Sequence, residues 1–199
     1  MIVRVLDAPL LYLAAAALFI AAARSRARHT GESFSVRSAL ICALTGFPAL
    51  ALLDDKSMLQ AAVLIACLAV CVSTDLASGK IYDAVTIPAF GIIVGLDVCF
   101  GHLRGGIAGA ASSAIVAGAL YLATSRRGLG LGDVKLFVVI GAALTFVPSL
   151  TVIGAAFVIG AAIMGVALAI GRVRRHDRVP FAPYIAVASI GVMALRGMH

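Results

Sequence analysis

Long apolar runs alternate along this chain with short gaps where the charged residues gather. Runs with little or no charge cover 6–23, 36–53, 57–74, 84–100 and 107–124. Each is about as long as a helix needs to be to cross a ~30 Å hydrocarbon core. The run 136–171 carries no charge and is too long for one helix, so a break near Pro148-Ser149 divides it into two short spans; a last span covers 183–195. The pattern predicts an all-α, polytopic membrane helix bundle of about eight transmembrane helices. With no long linker, low-complexity tract or strong internal repeat, the chain reads as one domain whose first two spans form an added pair.

Composition agrees with the pattern. In 199 residues the hydrophobic share is 62% and the mean hydropathy +1.10, against about half apolar residues in a soluble domain. The basic residues fix the orientation, because short cytoplasmic loops collect Lys and Arg. With the amino terminus outside, Arg24, Arg26, Arg28, Arg37, Lys80, Arg126, Arg127, Lys135, Arg172, Arg174, Arg175 and Arg178 lie inside, twelve of sixteen. A seven-span reading would put the cluster from Arg172 to Arg178 outside, so eight spans are preferred. The inner-loop bias also accounts for the net charge of +7. No aromatic-interleaved basic patch is left over, and no nucleic-acid partner is expected. The first run is longer than a signal-peptide core of roughly 7 to 15 residues and is followed by arginines, so it reads as a retained span.

Ionisable residues at the span ends are the candidate chemistry, since a charge in or beside a membrane segment is costly. Asp75 closes the run ending Cys71-Val72-Ser73-Thr74, where a negative charge opposes the helix dipole and no capping preference explains it. Asp133 closes Gly128-Leu129-Gly130-Leu131-Gly132-Asp133 and precedes a helix. Both Asp133 and Asp83 are expected to serve as N-caps. The alternating glycines allow unusual backbone angles and close approach of another chain, and so could admit a peptide. A phosphate-binding loop would need a preceding β-strand rather than an apolar helix. Asp54-Asp55 read as a solvated outer loop, and Asp97 as a polar group reaching the interface. Cys42, Cys67, Cys71 and Cys99 lie within spans and His29, His102, His176 and His199 outside them. The cysteines are read as small buried hydrophobes, and no metal or cofactor is expected.

Asp75, two intervening spans and then Gly130-Leu131-Gly132-Asp133 resemble the arrangement of the type IV prepilin peptidases, GxGD membrane aspartyl proteases, and of the related archaeal preflagellin peptidases. Gly132-Asp133-Val134-Lys135-Leu136 is similar to the family's GxGDxKL, and Pro180-Phe181-Ala182-Pro183 to its late proline-aromatic loop. The family follows its first aspartate with Ile-Pro-Asn; here Ile81 is kept, and Tyr82 and Asp83 stand for Pro and Asn. The resemblance divides the chain into an N-terminal helix pair, 1–56, and a peptidase-like membrane domain, 57–199.

The resemblance implies an aspartic-type endopeptidase with Asp75 and Asp133 as the catalytic pair, and Gly130, Gly132 and Lys135 as loop-shaping or substrate-binding residues. The substrate it implies is a prepilin with a short basic leader ahead of a hydrophobic helix, cut at the cytoplasmic face of the inner membrane among its lipids. The absence of loop cysteines and of an added cytoplasmic region points to the small branch serving Flp or Tad pili, without methyltransferase activity. Lys135 is expected either to pair with a glutamate that such prepilins carry after the cut, or to anchor the topology. Anionic lipid headgroups or acids on the inner face, Glu32, Asp75, Asp83, Asp133 and Asp177, are expected to offset its repulsion of a basic leader. Two other classes remain open: a small transporter or proton channel, which calls for polar residues through the spans, and a non-catalytic pilus-assembly factor, which would tolerate loss of either aspartate.

Overall fold

The computed structural model describes residues 2–31, 34–46, 58–124, 129–172 and 179–197. The described residues form eight helices and no strand: α1 (Ile2–Thr30), α2 (Val36–Gly46), α3 (Met58–Ser78), α4 (Asp83–Phe100), α5 (Leu103–Ala123), α6 (Leu131–Leu144), α7 (Phe146–Ala169) and α8 (Ala182–Gly197). Among the described residues, five stretches are long and apolar enough to cross a membrane: Pro9–Thr30, Met58–Ser78, Asp83–Phe100, Leu103–Ala123 and Phe146–Ala169. The chain is thus a polytopic helical membrane bundle. Asp54-Asp55, Glu32, Arg126, Arg127, Gly128 and Asp177 lie outside the described residues.

α3 is the axis of the bundle. Every residue from Ala61 to Cys71 is buried, as expected of a helix that is apolar all round. It packs against α1, α2, α4, α6 and α8. α1 turns Tyr12, Ala15, Ala16, Phe19, Ala23 and Ala27 inward at helical spacing and leaves Leu10, Leu13 and Leu18 exposed. The Tyr12 hydroxyl donates to the Ala43 carbonyl and so ties α1 to α2. Exposed leucines, isoleucines and valines elsewhere, such as Ile115, Leu122 and Val158, face where lipid would lie.

α5 and α6 meet through their backbones. Gly106, Gly109, Ser113 and Ala117 form the buried face of α5, the small-residue pattern that lets membrane helices approach closely. A Cβ on Gly109 would lie 2.1 Å from the Gly141 carbonyl oxygen, and one on Gly141 would lie 2.3 Å from that of Gly109.

Two expectations are corrected. The break in 136–171 falls at Thr145, whose φ of 69° places a β-branched residue in the left-handed half of the backbone map. Pro148 lies in the first turn of α7, where a missing N–H is tolerated. Asp97 does not reach the interface: it is 2% exposed, and its Oδ1 accepts a 2.6 Å hydrogen bond from Gln60 Nε2 on α3. Its Oδ2 occupies the space a side chain at Gly106 would take, 2.0 Å from that Cβ. Asp97 therefore joins α3, α4 and α5.

Candidate active site

Asp75 lies in the last turn of α3, is 7% exposed and accepts the Ala182 N–H at 2.9 Å through Oδ2. Ala182 is the first residue of α8. The carboxyl group opposes the dipole of its own helix, as the sequence indicates, but it faces the positive end of another, where unpaired N–H groups favour an anion. α3 ends just beyond it at Gly79, whose φ of 63° is suited to glycine and whose N–H bonds the Asp75 carbonyl at 2.8 Å.

Asp133 lies in the first turn of α6 and is half-buried. It is not the N-cap, contrary to expectation. Gly130 holds that position, and Asp133, three residues on, accepts the Gly130 N–H through Oδ2 at 3.0 Å. Each aspartate is thus held by backbone N–H at a helix N-terminus, Asp75 at that of α8 and Asp133 at that of α6. Both line one open pocket of about 780 Å³.

The pocket has two principal walls. One is the turn 79–82 with the start of α4, including Ala84, Ile87 and Pro88; the other is Gly130, Leu131 and Gly132. Pro88 has no N–H to give the Ala84 carbonyl, so a backbone acceptor in this wall lacks its helical partner. The walls touch at Gly132, where a Cβ would come within 2.9 Å of Ile81 Cβ. The need for glycine here is proximity. Gly130, at φ −81°, has an ordinary extended backbone, and neither it nor Gly132 is among the positive-φ glycines.

Asp83 does not act as expected either. The N-cap of α4 is Tyr82, with no side-chain cap hydrogen bond, and Asp83 instead holds the Lys135 ammonium at 2.6 and 2.8 Å. An isolated reading of either residue missed this pairing. Arg26 of α1 also lines the pocket; in the sequence it is only one of several inner-face cations. Among the described residues no group of three or more His, Cys, Asp or Glu side chains is placed to hold a metal ion.

A model of the type IV leader peptidase family matches residues 62–166, the stretch that carries both aspartates. The chain is 32% identical over 187 residues to the prepilin leader peptidase/N-methyltransferase of Burkholderia pseudomallei (strain K96243), covering 86% of this chain and 59% of that protein. It is 30% identical over 139 residues to the leader peptidase HopD of Escherichia coli, covering 65% of this chain and 89% of that protein. Against the prepilin leader peptidase/N-methyltransferase of Bacillus subtilis (strain 168) the identity is 38% over 103 residues, which is 50% of this chain and 38% of the relative. No solved structure matches. The family match spans α3 to α7 and the turn at Gly130, so both walls of the pocket fall within it, and the chain belongs to the type IV leader peptidase family.

Proposed function

We propose that this chain is an aspartic-type endopeptidase that removes the leader peptide of type IV prepilins, of the Flp or Tad kind, at the cytoplasmic face of the inner membrane. The observation that carries the reading is the convergence of Asp75 and Asp133 on one open pocket. Two carboxyl groups that meet across that pocket would not both ionise easily and would share a proton. The ionised member takes a proton from a water as it attacks the scissile carbonyl. The protonated member polarises that carbonyl and then protonates the leaving amine. Backbone N–H groups hold the Oδ2 atoms of both carboxyl groups, which fixes how the pair presents itself to the water and the shared proton. The basic leader approaches from the face that bears Asp75, Asp83 and Asp133, and the hydrophobic helix stays among lipids.

The direct test is cleavage of candidate prepilins by the purified protein in liposomes, with the new amino terminus read by mass spectrometry. Intact substrates throughout, with a folded enzyme, would sink the proposal. The same products incubated with S-adenosylmethionine are expected to show no added methyl mass; a methylated terminus would remove the peptidase-only part of it.

Gly132→Ala is expected to lower cleavage by about tenfold or more, because small displacements at a reacting centre are costly. The added Cβ meets Ile81 Cβ at 2.9 Å, so one wall must move. Adding Ile81→Gly removes the opposing atom and is expected to recover part of the loss. Normal rates in Gly132→Ala would show that the contact does not set the geometry.

A further inference from the structure

Asp83 and Lys135 are not used by the two-aspartate chemistry, yet they join the two walls of the pocket. Asp83 is the first residue of α4 and follows the turn 79–82, which leads from Asp75; Lys135 stands two residues beyond Asp133 on α6. The residues are 52 apart in sequence, and the ammonium contacts both carboxylate oxygens, at 2.6 and 2.8 Å. Beside them Gly132 and Ile81 provide a steric stop. Contact at Gly132 keeps the walls from coming closer, and an ion pair keeps them from drifting apart. The N-cap of α4 is Tyr82 and not Asp83, and the interaction that the Asp83 carboxylate shows is with Lys135.

We propose that Asp83 and Lys135 are positioning residues: their ion pair ties the turn after Asp75 to the helix that carries Asp133 and so sets the gap between the two carboxyl groups. The side chains are 54% and 48% exposed. A pair this open adds little to global stability, so its loss should alter pocket geometry and leave the fold standing. Lys135 is then held by the protein's own carboxylate rather than kept for an acid on the substrate. The kinetic part of the proposal rests on the peptidase reading; the geometric part does not.

The test uses the full chain in liposomes, comparing Asp83→Asn, Lys135→Gln, the double variant of those two, and the exchanged pair Asp83→Lys with Lys135→Asp. Each single change is expected to lower kcat about three- to five-fold with KM changed by less than about two-fold. The double variant should be no slower than the slower single, and the exchanged pair should recover most of the rate, since interacting residues are non-additive. Losses that multiply in the double variant would overturn the proposal, as would Lys135→Gln raising KM only for substrates with an acid near the cut.

A second measurement needs no activity. With Cys42, Cys67, Cys71 and Cys99 replaced by alanine, Ile81→Cys and Leu131→Cys, one on each wall of the pocket, are introduced together and their cross-linking by a short bis-maleimide is timed. Cross-linking is expected to slow in the Asp83→Asn and Lys135→Gln backgrounds and to recover in the exchanged pair; equal rates in all of them would overturn the proposal. If the parent protein cleaves no prepilin, the peptidase reading fails, and the cross-linking rates still decide whether the pair positions the walls.

Discussion

Asp75→Asn and Asp133→Asn are each expected to abolish prepilin cleavage, with rates falling at least about 10²–10⁴-fold, the usual contribution of a positioned acid or base. The substitutions suit the question because they change chemistry and little else. An asparagine carbonyl at 75 can still accept the Ala182 N–H, and one at 133 the Gly130 N–H. Membrane insertion and thermal stability should therefore stay near those of the parent, while a shared proton is no longer possible. Asp83→Asn is expected to lose only the few-fold attributed to its ion pair. Near-normal processing by a folded Asp75→Asn or Asp133→Asn protein would remove the aspartyl-protease reading. An inactive Asp83→Asn beside an active Asp75→Asn would mean that the partner of Asp133 has been misassigned.

The second large effect is expected at the crossing of α5 and α6. Alanine is favoured over glycine inside a helix by roughly 1 kcal/mol, so helix propensity alone predicts that Gly109→Ala and Gly141→Ala stabilise. Packing reverses the sign. The added Cβ atoms would lie 2.1 and 2.3 Å from facing backbone carbonyl oxygens, and backbone cannot swing aside as a side chain can. Overpacking of this kind costs about 1–3 kcal/mol or more, and the upper end applies here. Both variants should melt earlier in detergent and lose activity as α6 moves and takes Asp133 with it. Gly154→Ala on α7 is the control: nothing lies within 4 Å of its Cβ position, so it should be neutral or slightly stabilising. If all three variants melt alike, close α5–α6 contact is not what holds α6 in place.

Much of this architecture is written locally. The apolar runs reproduce the helices because a span must be apolar over the thickness of the membrane wherever it packs. Their ends differ where hydropathy and hydrogen bonding part company. α1 continues past Ala23 to Thr30, since Arg and Ala are good helix formers and the backbone ladder does not stop where the lipid does. α6 and α7 part at Thr145 and not at Pro148, because proline is harmless in a first turn and nothing in the local pattern marks a threonine for a positive φ.

The polar partners were not legible in the same way. Asp75 and Asp133 stand out in the sequence by charge and place, but that they share a pocket follows from how α3 and α6 pack. A donor to Asp75 comes from Ala182, 107 residues away. Asp83 and Asp97 read as a cap and an interfacial group, because the sequence offers each only its near neighbours; the fold supplies Lys135 to one and Gln60 to the other. Local pattern determines which segments cross the membrane and which residues are expensive to bury. The packing of α3 against α4, α6 and α8 decides which of those residues meet, because a carboxylate near lipid takes whatever donor the neighbouring helices bring within about 3 Å.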